Sequence, residues 1–298
     1  MTIRFDKDLN QVHITNDRLV LTVATGFGPR ITAFSEVGST NVLAELGDAA
    51  LDLPDGRSYK LHGGHRLWIA PESPDVTYEP DDEPVVVTEV GAALQVVGTG
   101  GVTVGIEKKM IIRPHAGQNT VSIVHTLTNT GDKAIDVAPW AITQLPVGGT
   151  ALIPLARKPV DPHGLQANAA IVVWPYTGVE DNPFVVENRM IMLEANRTRP
   201  TKVGTSLDRG WLAYVRDDSV FVKRAQHSTG GRHVDLGATA QCYCDSRFVE
   251  LETLGSLATL SPGASTSHEE TWELHRVDPG IDPHDVPELL KLDGGIAK

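Results

Sequence analysis

Apolar and polar positions alternate with a period of two over much of this chain. In LVLTVAT, Leu19, Leu21 and Val23 alternate with Val20, Thr22 and Ala24, which gives a strand at least one buried face. Val, Ile and Thr crowd residues 85–90, 93–99, 102–113 and 120–128, and in the last of these Val121, Ile123, His125 and Leu127 share one face. Strands are also expected at 11–15, 30–35, 134–143, 151–155, 169–174, 190–194, 211–216, 220–224, 240–243, 248–253, 258–260 and 265–275. Turn signals separate them, among them Asn16-Asp17, Gly98-Thr99-Gly100-Gly101, Asn129-Thr130-Gly131-Asp132, Asp217-Asp218 and Ser261-Pro262-Gly263. Pro139 predicts a bulge or a sheet edge inside 134–143. Residues 156–169 show little periodicity and read as loop. Helical signal is confined to two places. AELGDAALDL (44–53) suggests a short helix interrupted by Gly47, and the tail 282–292 suggests another, with Asp282 as N-cap and Pro283 at its first position.

Many short strands at this spacing predict an all-β fold, an antiparallel β-sandwich of large sheets with a short C-terminal helix. No internal repeat or low-complexity linker divides the chain, so residues 1–298 are expected to form one domain. Large sheets curve because their strands twist, and a curved sheet offers a concave face suited to a flat, polar ligand such as a sugar.

Composition narrows the partners. The chain has 298 residues, and its hydrophobic fraction of 41% supplies a sizeable core. Its 26 basic and 38 acidic residues give a net charge of −12, which disfavours nucleic acid and anionic membrane surfaces. No apolar run reaches the ~18 residues of a membrane span, and MTIRFDKDLN lacks the apolar region of a signal peptide, so a cytoplasmic location is the default. The acidic run EPDDE (79–83) reads as a solvated loop. Cys242 and Cys244 lie too close in a strand for an unstrained disulfide and read as buried or half-buried thiols. Nothing in the sequence fixes the oligomeric state.

Candidate chemistry concentrates in residues 59–72, YKLHGGHRLWIAPE, read here as a loop. His62 and His65 flank Gly63-Gly64, and histidine suits proton transfer near neutral pH. Arg66 offers a planar fork of donors, Trp68 an apolar face for a sugar ring, and Glu72 a carboxylate to orient a histidine. A second group lies in FVELETLG, where Glu250 and Glu252 share a strand face about 6.5 Å apart along the strand. Partly buried, two such carboxylates raise one another's pKa; on a solvated outer face they do not. His125, on an otherwise apolar face, reads as a hydrogen-bonded core histidine. Trp140 fits either a core or a ligand platform, and Lys223 and His227 can bring positive charge to the site. No metal-ligand spacing, Ser-His-Asp arrangement or phosphate loop is present.

Several motifs in order resemble the galactose-mutarotase-like superfamily. GPRITAF resembles the GGRI-type entry of aldose 1-epimerases; LHGGHRLWIAPE, HTLTNTGDKAIDVAPWAITQL, FVELETLG and LSPGASTSHEETWEL follow. The resemblance implies a β-supersandwich, a small-molecule carbohydrate ligand and no metal or organic cofactor. In that family a histidine protonates the ring oxygen and a glutamate takes the anomeric hydroxyl proton. His62 matches one family histidine, and Glu252 best matches the base, with Glu250 the alternate. Where the family carries a second histidine in a TNHTYFN-like strand, this chain reads APWAITQ, with Trp140 at that place. The ring-oxygen acid is then missing or relocated to His65 or His227. Two readings of one fold follow: an aldose 1-epimerase-like isomerase, with Arg66, Trp68, Glu72, Trp140, Lys223, His227 and Glu250 around the substrate, or a non-catalytic carbohydrate-binding or regulatory protein.

Overall fold

A computed structural model of the chain describes residues 2–98, 104–156, 160–181, 183–187 and 190–295. The expected turn at Thr99-Gly100-Gly101 and the first residues of the 102–113 strand, Val102 and Thr103, lie outside the described residues, as do 157–159 of the expected loop.

Two antiparallel sheets carry the fold. In the larger, neighbours run Thr2–Asp6, Gln11–Thr15, Leu19–Ala24, Arg30–Glu36, His65–Ala70, Ile135–Pro146, Phe248–Leu254, Ala240–Cys244, Thr201–Thr205 and Val172–Val173, and Ala258–Leu260 also pairs with the start of Ile135–Pro146. In the second the order is Val185–Glu187, Met190–Glu194, Thr150–Pro154, Trp211–Arg216, Ser219–Ala225, Ser265–Arg276, Thr120–Asn129, Ile106–Pro114, Leu94–Gly98 and Val85–Glu89. Alternation explains how they pack. Val12, Ile14, Leu21, Val23, Leu67 and Ile69 of the larger sheet meet Val121, Ile123, Leu127 and Trp272 of the second in one buried cluster. Phe34 reaches across to Trp272, with ring centroids 5.6 Å apart. Each fully buried aliphatic side chain of this kind contributes about 1.5–3 kcal/mol of transfer free energy.

The outer face of the larger sheet carries a separate apolar cluster, Trp68, Trp140, Ile142, Phe248 and Leu254, together with Tyr59 and Leu61 of a two-stranded hairpin. That hairpin, Glu45–Asp52 with Ser58–Gly63, replaces the helix expected at 44–53. Its pairing shifts register on both sides of Gly47, which hides the alternation; the Asp55-Gly56 turn was the surviving signal, with Gly56 at φ 85°. Residues 59–72 are accordingly not a loop but parts of two strands, Ser58–Gly63 and His65–Ala70. The chain turns between them at Gly63 and Gly64, both left-handed (φ 84° and 71°), where a Cβ would stand 2.1 Å from the Ala44 and Ile31 carbonyl oxygens respectively. Arg30 fastens the hairpin down by donating to the carbonyls of Leu61 (2.9 Å) and Gly63 (3.0 Å).

Other expectations are corrected locally. Pro139 lies in a central strand, not at an edge or bulge. Its carbonyl accepts from Gly255, so its missing N–H falls on the side where the neighbour changes from Ala258–Leu260 to Phe248–Leu254 and no ladder bond is lost. The run 79–83 is not simply solvated, because Asp81 is buried against Arg30 at 2.7 Å. The tail helix is shorter than expected, Val286–Leu289 with Asp285 at the N-cap, followed by a 3-10 turn at Leu292–Gly295. Cys242 and Cys244 are buried free thiols on the inner face. No helix among the described residues is long and apolar enough to cross a membrane.

Candidate functional site

Strand parity divides the central strands of the larger sheet into two chemical surfaces. Residues His65, Thr143, Leu251 and Thr253 point inward, while Arg66, Trp68, Trp140, Gln144, Glu250 and Glu252 point outward. The register aligns Arg66 with Ile142 and Ile142 with Glu252, and Gln144 with Glu250. The neighbouring strands add Gln241 opposite Glu252, Tyr243 opposite Glu250, and Lys202 opposite Tyr243.

Glu252 is the centre of the outer cluster. It is fully buried. Its Oε2 accepts from Trp140 Nε1 at 2.7 Å and from Lys202 Nζ at 2.8 Å, while its Oε1 has no partner among the described residues. Burial pushes its carboxyl up to about 7 against the pull of Lys202, and the nearby Glu250 adds to the rise. The Lys202 ammonium is held above two indoles, 4.6 Å from the Trp140 ring and 4.8 Å from the Trp174 ring. Glu250 accepts from Arg66 Nη2 at 2.8 Å and from Gln144 Nε2 at 3.0 Å. The Arg66 guanidinium lies 4.0 Å over Trp68, and Trp68 Nε1 donates to Tyr59 at 2.8 Å. Arg66 Nε and Nη1, Gln144 Oε1 and Gln241 Oε1 are buried without hydrogen-bond partners among the described residues. Buried polar atoms left unpaired cost roughly 1–3 kcal/mol each, so these atoms are positions where a ligand or water has hydrogen bonds to supply.

Aromatic side chains ring this cluster. Tyr176 and Tyr243 meet edge to face at 6.3 Å, and Tyr78 packs on Trp68 at 5.0 Å. Desolvation, followed by the charges of Glu252 and Glu72, holds the Tyr176 phenol in its protonated form. A cavity of about 620 Å³ opens beside them, lined by Tyr78, Trp174, Glu72, Asp52 and Asp235, with hairpin residues Leu51 to Pro54 on one side. Asp235 Oδ2 accepts from Gln241 Nε2 at 2.7 Å, which ties the cavity to the strand beside Glu252.

The inner face holds a different network. His65, His125 and His268 are buried, and burial drives each imidazole below its ordinary pKa, to about 4 for His268. His125 Nδ1 lies 3.1 Å from the His268 carbonyl, which only accepts, so Nδ1 carries the proton and Nε2 is an acceptor. His65 Nε2, at 2.8 Å, then donates to it, and His65 Nδ1 accepts from the Thr143 hydroxyl at 2.9 Å. Glu270 accepts from Lys223 Nζ (2.9 Å), Trp272 Nε1 (3.0 Å) and Thr253, and His268 Nε2 donates to the Thr253 hydroxyl at 2.7 Å. Lys223 also donates to the carbonyls of Ala141 (2.8 Å) and Leu251 (3.0 Å). Ligand atoms of His65, His125 and Glu270 lie within 4.8 Å of one another, the spacing of a metal site. Protons account for the contacts of all three, and the Lys223 ammonium already occupies the carboxylate, so the donor set does not fit a cation.

The sequence-level site thus splits. Arg66, Trp68, Trp140, Glu250 and Glu252 converge, and both glutamates are buried rather than solvated. His65 and Lys223 do not join them; each occupies an inward position and spends its polar atoms in the interior network. His62, at φ 57°, stacks on Phe27 at 4.1 Å and gives Nε2 to Asp82 at 2.7 Å. His227 lines a different cavity, stacks on His233 at 4.7 Å and sits 3.3 Å from Asp208. Glu72 orients no histidine; it accepts from the Tyr78 hydroxyl. Gln144, Lys202, Tyr176, Gln241 and Tyr243 join the outer cluster without having been singled out. Lys202 was discernible only as a lysine between Thr201 and Val203, in a strand whose Gly204 breaks the apolar pattern.

The sequence matches no family model and no curated protein. Among solved structures, the chain is similar to a galactose mutarotase-like protein from Lactobacillus casei, with a TM-score of 0.56 and 12% identity over 89% of this chain and 100% of that one. The Slr1438 protein of Synechocystis gives a TM-score of 0.58 and 12% identity over 92% and 99% of the two chains. A galactose mutarotase related enzyme from Lactobacillus acidophilus gives 0.53 and 7% identity over 91% and 99%. At these identities the similarity is one of fold: the chain has the galactose-mutarotase-like β fold.

Proposed function

We propose that the outer face of the larger sheet binds a carbohydrate and that Glu252 moves its anomeric proton, as in an aldose 1-epimerase. One observation carries this reading. Glu252 has one oxygen fixed by Trp140 and Lys202 and the other unpartnered, with a carboxyl raised to about 7. A base with a pKa near the working pH combines a populated carboxylate with useful proton affinity. Trp174, half-buried in the cavity wall, offers an apolar face to a pyranose ring, and Arg66, held by Glu250, keeps Nε and Nη1 as donors for hydroxyls. In this scheme Glu252 takes the anomeric hydroxyl proton as the ring C–O bond breaks, and the ring oxygen gains a proton. Water supplies that proton, because the Tyr176 phenol, held above its ordinary range by burial and by the charges of Glu252 and Glu72, gives its own up poorly. The ring recloses on either face and the protons return.

A second reading, sugar binding without catalysis, draws on a specific observation: among the described residues Glu252 is hydrogen-bonded by Trp140 and Lys202 and by no histidine, and the ring nitrogens of His65 are spent on Thr143 and His125. Polarimetry on freshly dissolved aldoses separates the two. Catalysis predicts anomer interconversion faster than buffer in the wild type and lost in Glu252→Gln. Saturable binding with no acceleration supports the second reading.

A further inference from the structure

We infer that the chain holds a second small-molecule site, apart from the outer face and independent of the Glu252 reading, in which the His268 imidazole accepts a hydrogen bond from a neutral, hydroxyl-rich ligand. The site is a cavity of about 1120 Å³ where the second sheet opens. Strand Ser219–Ala225 pairs with Ser265–Arg276 only as far as Ala225 opposite Glu270. Past that point the cavity lies between residues 226–229, residues 267–269 and Gly255-Ser256, the last two following the Phe248–Leu254 strand of the larger sheet. It reaches the space between the sheets, and His268, only 5% exposed, is in its wall. His268 Nε2 donates to the Thr253 hydroxyl at 2.7 Å, and that hydroxyl donates to Glu270. This fixes the tautomer and leaves the lone pair on Nδ1. Nδ1 makes no hydrogen bond among the described residues, and it is not one of the atoms closed off from solvent. His65 and His125 use both ring nitrogens inside the protein; His268 alone of the three keeps one for the cavity.

A buried acceptor, held in one orientation by Thr253 and Glu270 and open only to a cavity, selects a hydrogen-bond donor. The charges around it decide which kind. Arg224 is held by Glu273 and the Leu292 carbonyl, Arg209 pairs with Asp293 at 2.7 Å, and His227 faces Asp208 at 3.3 Å. Burial keeps His268 itself unprotonated at neutral pH. Neither arginine is left over for a phosphate or a carboxylate, and Asp208 and Glu269 repel one. An ammonium at Nδ1 is opposed in turn by the Lys223 ammonium behind the ring. Hydroxyl side chains fill much of the remaining wall, Ser228, Ser256, Ser267 and Thr271 among them, and each can both give and accept. A polyol or a sugar matches that wall: its hydroxyls exchange hydrogen bonds with these side chains, and one of them donates to Nδ1.

Imidazole nitrogen NMR of the full chain tests this, with myo-inositol and sorbitol as polyols, glucose as a sugar, and inositol phosphate and ethanolamine as charged counterparts. The His268 Nδ1 resonance should move upfield and saturate with a neutral ligand, and the same shift should persist in Arg66→Ala, where the outer face is impaired. Tighter binding of the polyols assigns the site to a free polyol, and tighter binding of glucose assigns it to a sugar; either supports the inference. In the Arg66→Ala background, calorimetry should show affinity falling about tenfold in His268→Phe, which removes the acceptor. Ser256→Phe, which fills the cavity and leaves His268 in place, should lower affinity at least as far, with folding checked by thermal melting. An Nδ1 resonance that no neutral ligand moves, tighter binding of inositol phosphate or ethanolamine, or undiminished affinity in a folded Ser256→Phe overturns the inference and leaves the Glu252 reading standing.

Discussion

The two faces of the His65–Ala70, Ile135–Pro146 and Phe248–Leu254 strands hold equally unusual polar chemistry and end in opposite states. On the inner face, the histidines, Lys223, Glu270 and the threonines have no buried side-chain nitrogen or oxygen without a partner among the described residues. On the outer face, Arg66, Gln144, Gln241 and Glu252 each keep at least one buried atom without a partner among the described residues. Residues one apart in sequence, His65 and Arg66, fall on opposite sides of this division. Reactive residue type therefore says little about function until strand parity is known. A saturated network stabilises and specifies a core; an unsaturated one beside a cavity is open to a ligand.

The sharpest way to break the comparison is to cut the inner network. Lys223→Ala leaves the Glu270 carboxylate buried without its cation, and a loss of about 3–5 kcal/mol is expected in urea unfolding. Sugar affinity of the protein that remains folded should be unchanged, and a specific loss of binding would join the faces functionally. On the outer face Arg66→Ala strips Glu250 of its ion pair, and a stability cost of about 1–3 kcal/mol should accompany a clear loss of sugar binding in calorimetry.

Titration separates the faces in the opposite direction. The buried histidines are neutral in the fold, with pKa values below those of the unfolded chain. Their contribution to stability is complete above about pH 6.5 and is lost as the pH falls below it, toward about 4 for His268. Glu252 has the reverse sign: its raised carboxyl lets the folded chain take up a proton more readily than the unfolded one as the pH drops through about 7. Three histidines outweigh one glutamate, so thermal melting should show stability declining from about pH 6.5 downward. Activity should instead rise as the pH climbs through about 7, where Glu252 becomes a carboxylate. The smallest effect is expected at the rim, where Glu72→Gln should alter stability by less than about 0.5 kcal/mol.

Much of the scaffold was legible because alternation reports burial directly. Gln11–Thr15, Met190–Glu194, Trp211–Arg216 and Ala258–Leu260 appear with the expected bounds, and most other strands shift at their ends by only a few residues. The failures have physical causes. Register shifts at Gly47 disguised Glu45–Asp52 as a helix, the edge strands Thr2–Asp6 and Val185–Glu187 are short and mostly exposed despite their Ile, Phe and Val, and in Thr201–Thr205 a lysine fills a buried position because Glu252 neutralises it. For the site, the pairing of Glu250 and Glu252 on one face followed from their spacing alone. What spacing does not encode is which face turns toward the second sheet, and that placed His65 and Lys223 inside. The outer partners Gln144, Gln241 and Lys202 come from three strands far apart in sequence, and only register brings them together.

The rate of anomer interconversion, followed by exchange NMR on a panel of aldoses for wild type, Glu252→Gln and His65→Gln, tests the division of the faces most directly. With rates corrected for the folded fraction, wild type should outpace buffer and Glu252→Gln should fall at least about 100-fold. His65→Gln should lose stability yet keep its rate within about twofold, as expected of a group outside the proton path. A wild type no faster than buffer, an unimpaired Glu252→Gln, or a folded but inactive His65→Gln would contradict the account.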